Sequence, residues 1–214
     1  TSTTTTICAM PRDRGQHKYQ HRHVESQTVG QCRGNTPQRS NQNLNELITV
    51  TVDLMETVAA KHHTHLHAAL PQEPLVANID ASQIQQVLTN LIVNAIQTAG
   101  NAGNVTITLC DSHCKPPGND GAAAEKHRRI SITDDGEGIS PNDRAHIFEP
   151  FFTTKDVGEG TGLGLSISHG IIQEHGGWIE VDTTEGQGSK FSIYLPAKDD
   201  RNQPDGNDPR ELRS

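Results

Sequence analysis

Asp134-Asp135-Gly136-Glu137-Gly138 is followed by Phe148-Glu149-Pro150-Phe151-Phe152-Thr153-Thr154-Lys155, and then by Gly158-Glu159-Gly160-Thr161-Gly162-Leu163-Gly164-Leu165. The first run comes straight after the alternating apolar residues Ile130 and Ile132, so it is a turn at the end of a strand. Its two glycines lack Cβ and tolerate positive φ, which lets backbone approach a flat ligand closely. The third run leads into a helical pattern, where unpaired backbone N–H groups and the helix dipole favour an anion such as phosphate. Three of the chain's four phenylalanines lie between the two glycine clusters.

Upstream, Asn90-Leu91-Ile92-Val93-Asn94-Ala95 falls on a predicted helix. With this third feature in the right order, the chain resembles the ATP-binding catalytic domain of bacterial sensor histidine kinases, in the family that also includes Hsp90-type and MutL-type ATPases. Asn90 to Ala95 matches the N box, Asp134 to Gly138 the first glycine box, Phe148 to Phe152 the F box and Gly160 to Gly164 the second glycine box. The resemblance covers residues 43 to 196. It implies an α/β fold, a two-layer α/β sandwich of the Bergerat type, in which a mixed sheet is covered on one face by three helices and carries an ATP lid. The spacing of F box, lid and second glycine box looks most like nitrogen-regulation-type sensor kinases.

The resemblance also implies ATP and Mg²⁺ as cofactors and assigns roles to residues. Asn94 coordinates Mg²⁺, and Asn90 supports the phosphates. Gly136 and Gly138 form the adenine turn, and the backbone of Gly160, Thr161, Gly162, Leu163 and Gly164 cradles the phosphates. The carboxylate of Asp134 accepts a hydrogen bond from the exocyclic amine of adenine, which guanine replaces with an acceptor, so ATP is chosen over GTP. Ser189 stands where many such kinases have a Thr that touches adenine through water. Residues 139 to 160 are the expected lid, pinned by Phe148, Phe151 and Phe152; an ordinary aromatic mini-core is a compatible account of those rings.

Position 90 separates branches of the family, and position 97 departs from the common kinase pattern. Hydrolytic members typically carry Glu where this chain has Asn90, and an amide cannot act as general base, so transfer to a protein acceptor is favoured over rapid hydrolysis. Many histidine kinases have Lys three residues after the Mg²⁺-binding Asn. Here that position is Gln97, and Lys155 is the candidate for neutralising charge.

Composition bounds the remainder. Only 32% of the 214 residues are hydrophobic and mean hydropathy is −0.63, so part of the chain is expected to be disordered. Residues 1 to 42 are read as a disordered or truncated upstream segment and residues 197 to 214 as a polar tail. A net charge of −8 disfavours nonspecific DNA binding. Cys8, Cys32, Cys110 and Cys114 lack paired C-x-x-C spacing and read as reduced thiols of a cytoplasmic protein. There is no run of about eighteen apolar residues, so no membrane span is expected. The chain opens without Met or a basic n-region and is read as the downstream part of something longer, whose parent is compatible with a membrane anchor. His17, His21 and His23 lie in the leading tract, but His23-Val24-Glu25 lacks the Pro and the amphipathic context of a phosphoacceptor helix.

Order is expected from near Asn43, with a packing helix to about Ala60. His63, His65 and His67 alternate and would share a face on a strand, where an exposed edge strand is a commoner explanation than a metal site. Asp80 is expected to cap the next helix, with Gln83 completing a capping box. Strands are expected at 66–70, 75–79, 105–109, 129–133, 178–181 and 191–195, with Asp111 to Lys126 as a long exposed loop. Asp135, His169 and His175 are expected to be surface or packing residues.

The expected function is therefore phosphoryl transfer from ATP to a histidine on a helical-hairpin dimerisation partner, for relay to a response regulator. An anti-sigma-type serine/threonine kinase, or a non-catalytic ATP-dependent binding module, are the alternatives.

Overall fold

The structure is a computed structural model that describes residues 37–118, 123–155 and 160–197. Expectations placed on His17, His21, His23, Cys8, Cys32, Gly158 and the tail from Asp199 fall outside the described residues.

The first element is a short strand, β1 (Ser40–Asn43), which pairs antiparallel with β3 (Val76–Ile79). Folded chain thus begins before Asn43. The tetrapeptide Ser-Asn-Gln-Asn has no apolar alternation to announce it, because it is held through backbone pairing. Asn43 then caps α1 (Leu44–Lys61), its Oδ1 accepting the Asn45 N–H at 3.0 Å. The helix buries Leu44, Ile48, Thr51, Val52 and Ala59.

Strand β2 (His65–Ala69) is an edge strand, as expected, and exposes His65 and His67. His63 lies ahead of the strand at φ 55°, so the three histidines do not form one strand face. Helix α2 (Ala81–Ala99) is capped by Asp80, whose carboxylate accepts from the N–H groups of Ser82 at 3.0 Å and Gln83 at 3.3 Å. The capping box does not close. Gln83 Oε1 is buried without a partner, and the Asp80 N–H donates instead to Nε2 of His175 at 3.0 Å. Gly100, at φ 67°, ends the helix.

The long-loop expectation is corrected. Strands β4 (Asn104–Cys114) and β5 (Glu125–Asp134) pair in continuous register from Val105↔Asp134 to Cys114↔Glu125. The outer part of the hairpin is polar, so it shows no hydrophobic alternation. It is held by Asp111, which pairs with Lys126 Nζ at 2.9 Å and with the Arg128 guanidinium. Partial burial pushes the Asp111 carboxyl up, but the two cations outweigh it and hold the group below the usual carboxylate range.

After a short helix, α3 (Pro141–Arg144), come α4 (Gly164–Glu174), β6 (Trp178–Thr183) and β7 (Ser189–Pro196). The five-stranded sheet runs β2-β4-β5-β7-β6; β2 and β4 are parallel and the other pairs antiparallel. Ile107, Leu109, Ile130, Ile132, Ile193 and Ile179 belong to one buried cluster together with the apolar stripes of α1, α2 and α4. By alternation, the opposite sheet face carries Ser131 bonded to Ser192 at 3.1 Å, and Trp178 stacked on Tyr194 with ring centroids 4.7 Å apart. The expected mixed sheet with three long helices on one face is thus what the chain forms.

Helix α4 buries Ser168, Ile171 and Ile172 and leaves Ile167 exposed. One smaller expectation changes. The front half of the expected lid is packed on the body. Ile139 N–H donates to Thr183 Oγ1 at 2.9 Å, Arg144 donates to the Val181 carbonyl at 2.8 Å, and Ile147 is buried.

Candidate functional site

Helix α2 turns its amide row toward the segment that follows the phenylalanines. Lys155 donates to Gln97 Oε1, and its Nζ stands 3.5 Å from Asn94 Oδ1. The cation proposed to replace the missing lysine at 97 is therefore against both amides. Of the two amide oxygens that meet this cation, that of Asn94 is the hard donor of the type that suits Mg²⁺. The chemistry of this donor thus fits the metal, with the ammonium as its stand-in. Asn90 faces another way: its Nδ2 lies 3.4 Å from the Gly164 carbonyl and 3.4 Å from Ser168 Oγ. It ties α2 to the first turn of α4.

Asp134 closes β5 on the helix-facing side, and its residue is only 5% exposed. Burial pushes its carboxyl up from the ordinary value; hydrogen bonds from the Gly136 and Ser189 backbone and the Thr98 side chain partly offset this. The Gly136 N–H donation measures 3.0 Å. The glycines of this turn answer first to the protein itself. A Cβ on Gly136 would stand 2.2 Å from the Thr98 carbonyl oxygen, and one on Gly138, at φ 71°, would stand 2.2 Å from that of Thr184. The turn is thereby pressed against the end of α2. Asp135 is exposed but not idle, since it accepts from the Asn104 N–H and Nδ2, both at 2.7 Å. Ser189 turns its hydroxyl to Thr183, 2.9 Å away, so the hydroxyl expected to face a base through water is engaged with a neighbour.

The second glycine box opens α4 with no side-chain cap at Leu163. Its first-turn N–H groups keep the capacity to meet an anion. Thr161 Oγ1 accepts from the Leu163 N–H at 3.4 Å and shapes the approach. Gly162, at φ 65°, lies so close to Phe151 that a Cβ would stand 2.4 Å from its carbonyl carbon, and the Phe151 N–H donates to the Gly162 carbonyl at 2.9 Å. Gly164 is less constrained: its Cβ would meet Asn90 at an ordinary 3.8 Å. Gly160 faces Thr153 and the stem of Lys155.

Of the three phenylalanines, Phe148 packs on the core and tilts against His169, with centroids 4.8 Å apart, and Phe152 contacts His146. Phe151 does not pin anything. It is 74% exposed, at φ 69°. His169 is thus a packing residue, as expected. His175 is more than that: it is buried, accepts from Asp80 through Nε2 and bonds the Ile171 carbonyl through Nδ1 at 2.8 Å.

Residues missed from sequence were Thr98, which lies one turn beyond Asn94 and reaches Asp134, and Thr183, which anchors both Ile139 and Ser189. The fourfold spacing from Asn94 was a signal for the first. Two surface hollows are lined by described residues. The one of about 570 Å³, lined by Glu56, His63 and His65, is remote from the site residues, whereas the other, of about 210 Å³, is lined by Asp134, Thr183 and Ser189 together with Thr133, Asp182 and Lys190, where the sheet borders the site.

Comparison with known proteins identifies what the chain as a whole is similar to. Sensor histidine kinase ZraS of Escherichia coli (strain K12) is 37% identical over 163 residues, which are 76% of this chain and 32% of that protein. The chain thus spans about a third of the curated relatives it matches first. Among solved structures, the catalytic domain of histidine kinase ThkA in a nucleotide-free form superposes with a TM-score of 0.63 at 36% identity, covering 74% of this chain and 95% of that one. ThkA in complex with response regulator protein TrrA gives a TM-score of 0.59 at 32% identity, covering 74% of this chain and 42% of that one. The family described as "Histidine kinase-, DNA gyrase B-, and HSP90-like ATPase" matches residues 79–199, from the cap of α2 past the end of β7, and so takes in every motif just located. That match covers more than half of the chain, which therefore belongs to the histidine kinase-, DNA gyrase B- and HSP90-like ATPase family.

Proposed function

We propose that this chain is the ATP–Mg²⁺-binding catalytic segment of a sensor histidine kinase, moving the γ-phosphoryl group of ATP to a histidine on a helical-hairpin partner for relay to a response regulator. The observation that carries this reading is the facing of two unlike ends. A buried carboxylate, Asp134, lies at one end of the amide-bearing face of α2, and the Lys155 ammonium lies against Asn94 and Gln97 of the same helix. The uncapped start of α4 stands across from Asn90. A base at the first and phosphates at the second match the polarity of a nucleotide.

In this reading the Asp134 carboxylate accepts from the adenine amine, and the Gly136 N–H holds that carboxylate in place. The first turn of α4 receives the phosphates through backbone N–H groups, with Asn90 fixing α4 against α2. Asn94, through Oδ1, would hold Mg²⁺, whose charge offsets that of the β- and γ-phosphates. Lys155 offsets charge that develops on the transferring group. The acceptor imidazole nitrogen forms a bond to γ-phosphorus while the bond to the bridging oxygen breaks. That oxygen's electron pair leaves with ADP, and the imidazole gives up its proton. Among the described residues of this site none is assigned as a general base, which fits an acceptor that is itself a nucleophile. The nitrogen-regulation subclass belongs to the same proposal, supported by the motif spacing. Relay is supported by ThkA, solved in complex with a response regulator.

The test is to incubate the chain with γ-labelled ATP and a separately supplied histidine-bearing hairpin dimer. Acid-labile label on the hairpin that disappears with Asn94→Ala is the expected result. Nucleotide binding with no transfer to any hairpin, or acid-stable label, contradicts it.

A further inference from the structure

We propose that Asn94 and Gln97 together form a cation seat, held by the Lys155 ammonium before nucleotide arrives, and that Lys155 must leave it for metal-bound nucleotide to enter. Gln97 is then a positioning residue that controls metal entry. The inference rests on the functional reading above and adds to it what competes for the metal's place.

The geometry is specific. Lys155 donates to Gln97 Oε1 and stands 3.5 Å from Oδ1 of Asn94, the very atom proposed to hold Mg²⁺. Its backbone is fixed as well, because the Lys155 N–H donates to Thr153 Oγ1 at 3.2 Å. The stem of the side chain passes Gly160, where an added Cβ would come within 3.4 Å of its Cδ and 2.8 Å of Thr153 Oγ1. Gly160 thus borders the stem that brings the ammonium to α2.

An ammonium and a divalent cation cannot share one amide oxygen, since like charges at contact distance repel even in water. The two states therefore exclude each other. With the seat taken by Lys155, the amides are satisfied and the polar face of α2 is not left facing a vacant charge site. When Lys155 leaves, its ammonium becomes available to a phosphate oxygen on the same side of the cleft. Gln97 is suited to this exchange, where a lysine would not be: it offers an oxygen to the ammonium, whereas a second cation would repel it.

The experiment is a calorimetric titration of ADP, with and without Mg²⁺, into the 214-residue chain, read as the ratio of the two affinities. ADP is used because no phosphoryl transfer follows. Lys155→Met removes the competitor and Gln97→Leu removes half of its seat; both positions reach solvent, so the fold is expected to persist. Each variant is expected to raise the Mg²⁺ dependence about threefold or more, the size of a partly exposed charged hydrogen bond. An unchanged or lowered ratio in either variant overturns the proposal. In particular, a rise with Lys155→Met alone would reflect only charge removed at a distance. ADP binding in the wild type with unaltered ratios sinks this inference and leaves the functional reading standing, whereas no ADP binding at all sinks both.

Discussion

His175 is a single side chain that joins the C-terminal end of α4 to the N-terminal cap of α2, and replacing it tests whether the two site-bearing helices are held together there. Nδ1 bonds the Ile171 carbonyl, so it carries the proton, and Nε2 accepts from the Asp80 N–H. His175→Leu keeps the bulk, removes both bonds and leaves the Asp80 N–H without its acceptor. An unsatisfied buried donor costs about 1–3 kcal/mol and a lost neutral hydrogen bond about 1 kcal/mol. Because Asp80 is only partly buried, the lower half of that range applies, giving about 2–3 kcal/mol in total. For a folded unit of this size that corresponds to a fall in Tm of roughly 4–12 °C. The assay is urea unfolding followed by far-UV circular dichroism, with m unchanged. His175→Gln places an acceptor near the position of Nε2 and is expected to recover about half of the loss. A loss under about 0.5 kcal/mol for His175→Leu would refute the reasoning, and so would equal losses for the two variants.

Other outcomes follow from the same contacts. Asp134 has its carboxyl pushed up by burial, so the native state binds this proton more tightly than the unfolded chain does. The stabilisation is fully present below the ordinary carboxylate value of 3.8 and is lost as pH rises through the folded value. Asp134→Asn should therefore unfold at a higher temperature than wild type at pH 7, and the gap should narrow on acidification; a lower Tm at pH 7 contradicts this. Asp111 has the opposite sign: its lowered carboxyl stabilises above the ordinary 3.8 and loses that contribution as pH falls through the folded value. Asp111→Asn should thus be less stable than wild type near neutrality and converge with it in acid, as read by thermal melts across pH. Gly138→Ala should cost about 2 kcal/mol or more, because φ is 71° and the Thr184 carbonyl oxygen lies 2.2 Å from the new Cβ. Denaturant midpoints that match wild type would show that the turn can move away.

Much of this was legible because it is local. Asp80 before an apolar stripe at helical spacing announced α2, and Asp134 to Gly138 after Ile130 and Ile132 announced the turn at the end of β5. What escaped was set by partners distant in sequence. The Asp80 N–H finds His175 and not Gln83, 95 residues away, and no local pattern records that pairing. Strand β1 and the outer half of the β4–β5 hairpin have polar sequences, so their pairing comes from backbone and from Asp111 with Lys126 and Arg128. Phe151 has the residue type of an anchor, yet its ring is largely exposed while its backbone N–H donates to the Gly162 carbonyl. Lys155 was picked out by elimination, once Gln97 was seen to lack charge, and it lies against both α2 amides.

The central claim is that a nucleotide's base is read by Asp134 while its phosphates and metal lie between Asn94 and the start of α4. Calorimetric titration of ADP with Mg²⁺ into wild type and Asp134→Asn tests it most directly. Binding by wild type that requires Mg²⁺ and weakens about tenfold or more in the variant, the size of one charged hydrogen bond, is the predicted result. Equal affinity in the two proteins, or no magnesium-dependent binding in wild type, would contradict it.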